Sequence, residues 1–137
     1  MFFRIDFNNR LAIYDQVVRQ IKFAVAGAIL AEGELIPSVR ELARELRINP
    51  NTVVRAYRQL QDGGVLTPVR GTGLAVATGA AKQCRSERVE LIRAQMEQVF
   101  TEAGQSGIDL GKLRALVEQQ LAAIEAKEKH HDSRHST

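Results

Sequence analysis

The sequence predicts a mainly α fold, in which three helices and a short β-hairpin form a first domain and two further helices follow. Three observations support this prediction. Apolar residues recur at helical spacing along most of the 137 residues. A serine and an asparagine–proline pair mark two closely spaced helix starts. One short stretch that contains glycines is typical of a strand, a turn and a second strand.

The composition excludes several classes of protein. An apolar fraction of 45% suits one domain, or one small domain with an appendage. No apolar run approaches the roughly 18 residues that a membrane span needs. The amino terminus, MFFRIDFNNR, is too short and too charged for a secretory signal. The one cysteine, Cys84, excludes an intrachain disulfide and fits a reducing compartment. We therefore expect a cytoplasmic protein with no membrane partner.

The basic charge is concentrated in the first part of the chain. Residues 1–79 hold ten basic and seven acidic residues, whereas residues 80–137 hold nine of each. Between Arg40 and Arg58 there are five arginines, two glutamates and no lysine. This bias is informative because the guanidinium group suits phosphate oxygens and guanine edges.

The first two helices are indicated by their apolar spacing and by one start signal. A broad apolar stripe predicts a first helix over residues 11–30, after which AEGE turns the chain. A second, short helix is predicted over residues 38–47. Its start, Ser38-Val39-Arg40-Glu41, matches a capping box.

The third helix begins abruptly within RINPNTVVRAYRQL. Asn49 followed by Pro50 is typical of an N-cap and a first helical position. The apolar side of this helix carries Val53, Ala56, Tyr57 and Leu60. The opposite side carries Asn51, Thr52, Arg55 and Arg58. Two helices separated by so short a turn should cross steeply, as in a helix-turn-helix.

A hairpin follows the third helix. Residues 65–67 and 74–77 resemble strands, and Arg70 and Gly71 lie in the turn between them. A helix-turn-helix followed by a hairpin is a winged helix, so residues 1–79 are predicted to form a winged helix-turn-helix domain.

The remaining residues are predicted to form a two-helix dimerisation segment, residues 80–128, and a disordered tail, residues 129–137. About forty structured residues are too few to bury a core of their own. They must pack on the first domain, on a second copy of the chain, or on both. The residues expected to pack in a dimer are Val89, Ile92, Met96, Val99, Phe100, Leu113, Leu116, Val117 and Leu121.

The segment ELIPSVRELARELRINPNTVVRAYRQLQDGGVLTPVRGTGLAV resembles the DNA-binding domain of GntR-type bacterial transcription regulators. The resemblance covers roughly residues 11–79, and its motifs are specific as a set. The short two-helix tail is similar to that of the YtrA-type branch, whose members often repress operons for membrane transporters. At Pro50 and Val54, other members carry arginine, so we expect no base contact from these two positions.

Within this framework the third helix should enter the major groove of duplex DNA. Asn51 suits adenine, Thr52 a thymine methyl group or a phosphate, and Arg55 guanine or a phosphate. Arg58 should meet the DNA backbone, and Arg40, at the positive end of the second helix, a phosphate. The full set expected to bind DNA is Ser38, Arg40, Arg44, Asn49, Asn51, Thr52, Arg55, Arg58, Arg70 and Gly71.

Other features favour structural interpretations. Tyr14 and Tyr57 are expected in the core or an interface rather than stacked on bases. Three histidines in a polar tail, His130, His131 and His135, do not indicate a metal site. No nucleophile–base constellation or phosphate-binding loop points to an enzyme or a cofactor.

The sequence therefore predicts a homodimeric repressor that binds a palindromic operator in double-stranded DNA. The alternative is a protein-interaction module that uses the winged helix as a docking scaffold. A second alternative is an effector-dependent regulator with a small pocket between the tail helices. The sequence shows no convergent polar cluster to support such a pocket, and a small-molecule effector is unknown.

Overall fold

The computed structural model describes the backbone of residues 4–9 and 11–135, and side chains as far as residue 130. The elements of this part are α1 (Ile13–Ala26), α2 (Val39–Leu46), α3 (Pro50–Asp62), β1 (Leu66–Val69), β2 (Gly73–Val76), α4 (Ala80–Gln105) and α5 (Leu110–His135). The chain divides into two compact units, of which the first ends at Ile92 and the second begins at Arg93. The predicted mainly α fold with a winged helix-turn-helix is confirmed.

The first unit is built around one apolar core to which every helix and both strands contribute. Ile21 of α1, Leu42 of α2 and Leu60 of α3 are fully buried in it. Helices α1 and α2 both pack against α3. A helix as short as α2 is not stable alone in water. It therefore forms because its apolar side is buried against α3.

Both helices of the helix-turn-helix begin with the predicted caps. The Ser38 hydroxyl accepts a hydrogen bond from the amide of Glu41 at 3.1 Å. The Asn49 side chain accepts one from the amide of Asn51 at 2.8 Å, and Pro50 is the first residue of α3. These bonds satisfy amides that have no partner within the helix. Because the signals are local, the predicted starts of α2 and α3 are correct.

Helices α1 to α4 all end in the same way, with a left-handed residue that reverses the chain. At the end of α3, Gly64 has φ of 80° and the amide of Val65 donates to the carbonyl of Leu60 at 2.9 Å. This is the Schellman arrangement, in which glycine is usual. Arg47, between α2 and α3, takes the same conformation with φ of 57°, although it has a side chain.

The predicted first helix, residues 11–30, is too long. Helix α1 ends at Ala26 because Ala28 is left-handed, with φ of 61°, and the amide of Ile29 donates to the carbonyl of Ala24 at 2.9 Å. This turn places Leu30 in the core and leaves Ile29 73% exposed. The apolar pattern continued past the helix because Leu30 is buried in the turn that follows it.

The first strand of the hairpin is longer than predicted, and a third segment pairs with the second strand. Strands β1 and β2 are antiparallel, with Leu66 opposite Val76 and Val69 opposite Gly73. Leu35, between α1 and α2, forms a bridge with Ala75 of β2. This bridge attaches the segment that precedes α2 to the hairpin.

The start of α4 belongs to the first unit. Ala80 and Cys84 are buried in its core, and the unit extends to Ile92. A Glu32 carboxylate oxygen accepts hydrogen bonds from the amides of Gly79 and Ala81, at 2.9 and 3.2 Å. A carboxylate at this position also interacts favourably with the positive end of the helix dipole.

The second unit consists of the rest of α4 and α5, joined by a turn with Gly107 at φ of 83°. Helix α5 continues to His135. That residues 129–137 are disordered stays a prediction. Residues 136–137 lie outside the described residues, as do the side chains of His131 and His135.

Tyr57 connects α3 to the residue that precedes α2. It is 3% exposed, and its hydroxyl donates a hydrogen bond to the carbonyl of Pro37 at 2.8 Å. Burial raises the pKa of this hydroxyl well above its ordinary value, and the carboxylates of Glu41 and Glu45 raise it further. Tyr57 therefore stays protonated and keeps donating.

A small polar network links α1, α3 and α4. The Lys22 ammonium lies 2.8 Å from a Glu87 carboxylate oxygen. The Gln83 amide donates to the other Glu87 oxygen at 3.2 Å and to the carbonyl of Gly63, after α3, at 2.7 Å. The hydrogen bond from Lys22 lowers the pKa of Glu87 below its ordinary 4.5. Beside this network, burial raises the pKa of the Cys84 thiol, which disfavours a reactive thiolate.

Replacing Tyr57 by phenylalanine is expected to destabilise the protein by about 1–2 kcal/mol, because the Pro37 carbonyl loses its donor in a partly buried place. Urea denaturation measures the change in the free energy of unfolding. The matched control is Tyr14→Phe, since the Tyr14 hydroxyl has no hydrogen-bond partner among the described residues. Equal effects of the two substitutions would show that the bond to Pro37 contributes nothing.

Glu87→Gln is expected to lower the free energy of unfolding by about 0.2–1 kcal/mol at pH 7, the range for partly exposed ion pairs. Because the pKa of Glu87 is lowered by folding, its contribution is complete above pH 4.5 and is lost as the pH falls through the folded value. The difference between variant and wild type should therefore shrink in acid. Glu118→Gln, which removes an exposed carboxylate from α5, is the control. A difference that is constant from pH 7 to 3 would contradict the ion pair.

Candidate nucleic-acid interface

Helix α3 buries one side and exposes the other. Val53, Ala56, Tyr57 and Leu60 are at most 3% exposed. Asn51, Arg55 and Arg58 are exposed and recur at i, i+4 and i+7, so they lie along one line of the helix surface.

Thr52 and Asn49 are not part of that exposed line. Thr52, beside the line, is half-buried, which leaves part of its side chain for contact. The side chain of Asn49 is exposed but already serves as the N-cap of α3.

Helix α2 presents two arginines, Arg40 in its first turn and Arg44 in its last. Arg40 and Arg44 are exposed and one turn apart, so they lie on the same side of α2. Ser38 caps this helix, with its hydroxyl bound to the amide of Glu41. An exposed arginine in the first turn of a helix lies where anions are already favoured by the unpaired amides and the helix dipole.

The hairpin presents Arg70 and Gly71 in the turn between β1 and β2. Both are exposed, and Gly71 has φ of 80°. The amide and the hydroxyl of Thr72 both donate to the carbonyl of Val69, at 3.0 and 3.3 Å. The turn is thus held by two hydrogen bonds between Thr72 and Val69, and the Arg70 side chain extends from this turn.

Tyr14 makes a contact that the sequence did not indicate. The guanidinium carbon of Arg55 lies 3.8 Å from the centroid of the Tyr14 ring, within the range of a cation–π interaction. Tyr14 is half-buried near the start of α1. Only the packing of α1 on α3 brings the two together, so spacing within either helix carries no signal of the pair.

The residues predicted to pack in a dimer are mostly exposed. Val89, Ile92, Met96, Val99, Phe100, Leu116 and Leu121 are between 39% and 57% exposed, and Leu113 and Val117 are half-buried. Within the described part of the second unit, Ala103 is the only buried residue. These apolar side chains form long lines on α4 and α5 without a covering partner in the described part of the chain.

No group of three or more histidine, cysteine, aspartate or glutamate side chains in the described part of the chain is placed to hold a metal ion. Among the described helices, none combines the length and the apolar character required to cross a membrane.

Known proteins match the chain in both sequence and structure. A family model described as bacterial regulatory proteins, gntR family, matches residues 13–76. The HTH-type transcriptional repressor YtrA of Bacillus subtilis (strain 168) is 31% identical over 126 residues, which is 92% of this chain and 97% of that protein.

Two solved structures have the same fold. A GntR family transcriptional regulator from Listeria monocytogenes is 30% identical with a TM-score of 0.63, over 82% of this chain and 98% of that chain. YtrA from Sulfolobus acidocaldarius, a GntR-family transcription factor, is 32% identical with a TM-score of 0.55, over 70% of this chain and 99% of that one. The resemblance found in the sequence is confirmed, and the chain belongs to the GntR family, in its short YtrA-type branch, as a DNA-binding transcription regulator and not an enzyme.

Proposed function

We propose that this protein is a cytoplasmic, homodimeric repressor that binds a palindromic operator with one α3 helix in each half-site. The observation that carries this proposal is the exposed line of Asn51, Arg55 and Arg58 on a helix whose other side is fully buried. In helix-turn-helix proteins the second helix lies in the major groove, and residues near its start meet base edges.

Asn51 and Arg55 are the proposed base readers, because they lie in the first half of α3 and carry side chains that pair with adenine and guanine. Arg58, one turn further on, is assigned to the DNA backbone. Thr52 is half-buried, so it offers its exposed part to a thymine methyl group or a phosphate.

Contacts with the sugar–phosphate backbone are assigned to α2, to the cap of α3 and to the hairpin. Ser38, Arg40 and Arg44 lie at and after the start of α2, and the exposed arginines suit phosphate oxygens. Arg70 and Gly71 extend the contact toward the minor groove, where arginine is favoured when the groove is narrow. Asn49 contributes chiefly by holding the start of α3 in place.

The dimer is proposed from the exposed apolar lines on α4 and α5. A two-helix unit with one buried residue in its described part leaves apolar surface that a second copy can cover. Two-fold symmetry in the protein matches a palindrome in the DNA. Repression is proposed because the Bacillus subtilis relative, similar along almost its whole length, is named a repressor. Control of transporter genes follows from the YtrA-type resemblance.

Arg40→Ala is expected to weaken binding to operator and to random DNA alike, and to reduce the salt dependence by about one unit of slope, because one phosphate contact is lost. Asn51→Ala should instead cost about 1–3 kcal/mol on the operator and little on random DNA. Fluorescence anisotropy on both duplexes at several salt concentrations measures the two effects.

The charge-matched control is Arg114→Ala, an exposed arginine on α5. It should bind both duplexes as the wild type does. If Arg40→Ala and Asn51→Ala lower the two affinities by the same factor, the assigned roles are wrong. If the wild type does not distinguish the upstream region of its own gene from random DNA, the proposed function itself fails, and a docking module becomes the better description.

Val99→Glu is expected to convert the dimer to monomers at micromolar concentration, because an unpaired carboxylate is costly in an apolar interface. Light scattering coupled to size exclusion measures the mass. Gln98→Glu adds the same charge one position away and is the matched control. A Val99→Glu protein that remains dimeric would exclude this side of α4 from the interface.

A further inference from the structure

The contact between Tyr14 and Arg55 joins the start of α1 to the exposed line of α3. The guanidinium carbon is 3.8 Å from the ring centroid. At this distance the cation is in contact with the ring. Arg55 is exposed and, within the described part of the chain, its side chain donates no hydrogen bond, so its N–H donors remain available to other partners.

The ring is a neutral partner, and this distinguishes it from an ion pair. Within the described part of the chain, no carboxylate forms a salt bridge with Arg55. A carboxylate would hold the side chain but would also cancel its charge and occupy its donors. An aromatic face holds the cation while preserving both, and this is what a group that must bind an anion or a guanine edge requires.

The two residues also differ in how firmly they are held. Tyr14 is half-buried on a helix that packs against α3, whereas Arg55 is exposed. An arginine side chain has many rotamers, and fixing it on binding costs conformational entropy. A contact that already restricts these rotamers in the free protein reduces the entropy lost on binding.

We propose that Tyr14 is a positioning residue for DNA binding, which holds the Arg55 guanidinium on the outer side of α3 with its N–H donors available to the DNA. The inference rests on the proposed role of α3. It assigns to α1 a part in recognition that neither helix pattern indicates.

The test is a double-mutant cycle on the full chain with two fluorescein-labelled duplexes, one covering the region upstream of its own gene and one of random sequence. Tyr14→Leu should weaken binding to the upstream duplex about two- to five-fold, the range for an exposed cation–π contact. Tyr14→Phe keeps the ring face and should bind like the wild type. In an Arg55→Ala background, Tyr14→Leu should cause no further loss.

Arg58 provides the matched control, since it lies on the same exposed line. The effects of Tyr14→Leu and Arg58→Ala should add, because the ring does not hold Arg58. Equal losses from Tyr14→Leu in the presence and absence of Arg55 would show a merely structural role. Tighter binding by Tyr14→Leu would show that the ring withholds Arg55 from DNA. Either result overturns the proposal.

A measurement without DNA distinguishes loss of the contact from a folding defect. The NMR signal of the Arg55 side-chain Nε–H should be displaced by the ring current in the wild type and in Tyr14→Phe, and should return toward the value of a free arginine in Tyr14→Leu. An unchanged signal in Tyr14→Leu overturns the contact itself. If the wild type fails to prefer the upstream duplex while these shifts behave as expected, the fault lies in the proposed function and not in the contact.

Discussion

The burial of one side of α3 is the constraint on which the rest of the structure depends. Val53 and Leu60 lie fully inside the core, and each apolar side chain of this size stabilises the folded state by about 1.5–3 kcal/mol relative to exposure. A rotation of the helix about its axis would expose them and bury Arg55. An unpaired buried guanidinium is far more costly than any gain from such a rotation. The outward side of α3 is therefore fixed by what the inward side must bury.

The position of α3 along and across the unit is fixed by polar contacts at several points. Asn49 caps its start, the hydroxyl of Tyr57 holds its middle to Pro37, and Gln83 binds the Gly63 carbonyl just after its end. These bonds come from a turn, from the helix itself and from α4. Side chains on so constrained an element keep their geometry, which is what recognition of base edges demands. The same network makes the start of α4 part of the DNA-binding unit.

A structural feature could be predicted from the sequence when the residues that determine it are close together in the chain. The starts of α2 and α3 were predictable because a capping serine and an asparagine–proline pair act within a few residues. The end of α1 was not, since Ala28 takes a left-handed conformation that sequence patterns expect of glycine. The Glu32 cap of α4 and the bridge between Leu35 and Ala75 also gave no signal, because their partners are distant in the chain.

The candidate interface also has a part that could be predicted from the sequence and a part that could not. Periodicity alone separates the buried side of α3 from its exposed side, so the exposed positions of Asn51, Arg55 and Arg58 could be predicted. The contact of Arg55 with Tyr14 could not, because it exists only after α1 packs on α3. Contacts between helices are the part of a site that local patterns leave open.

The proposed DNA recognition and the proposed dimerisation both depend on a second copy of the chain. One short recognition helix contacts few base pairs, and each good base contact contributes only about 1–3 kcal/mol of discrimination. The second unit, taken alone, leaves Val99 and most of its other large apolar side chains exposed. Two helices alone cannot bury enough surface to be stable by themselves. Pairing two copies through this surface would remove that apolar area from water and would double the number of bases read. The surface that makes the second unit incomplete is therefore the same surface that would make the first unit specific.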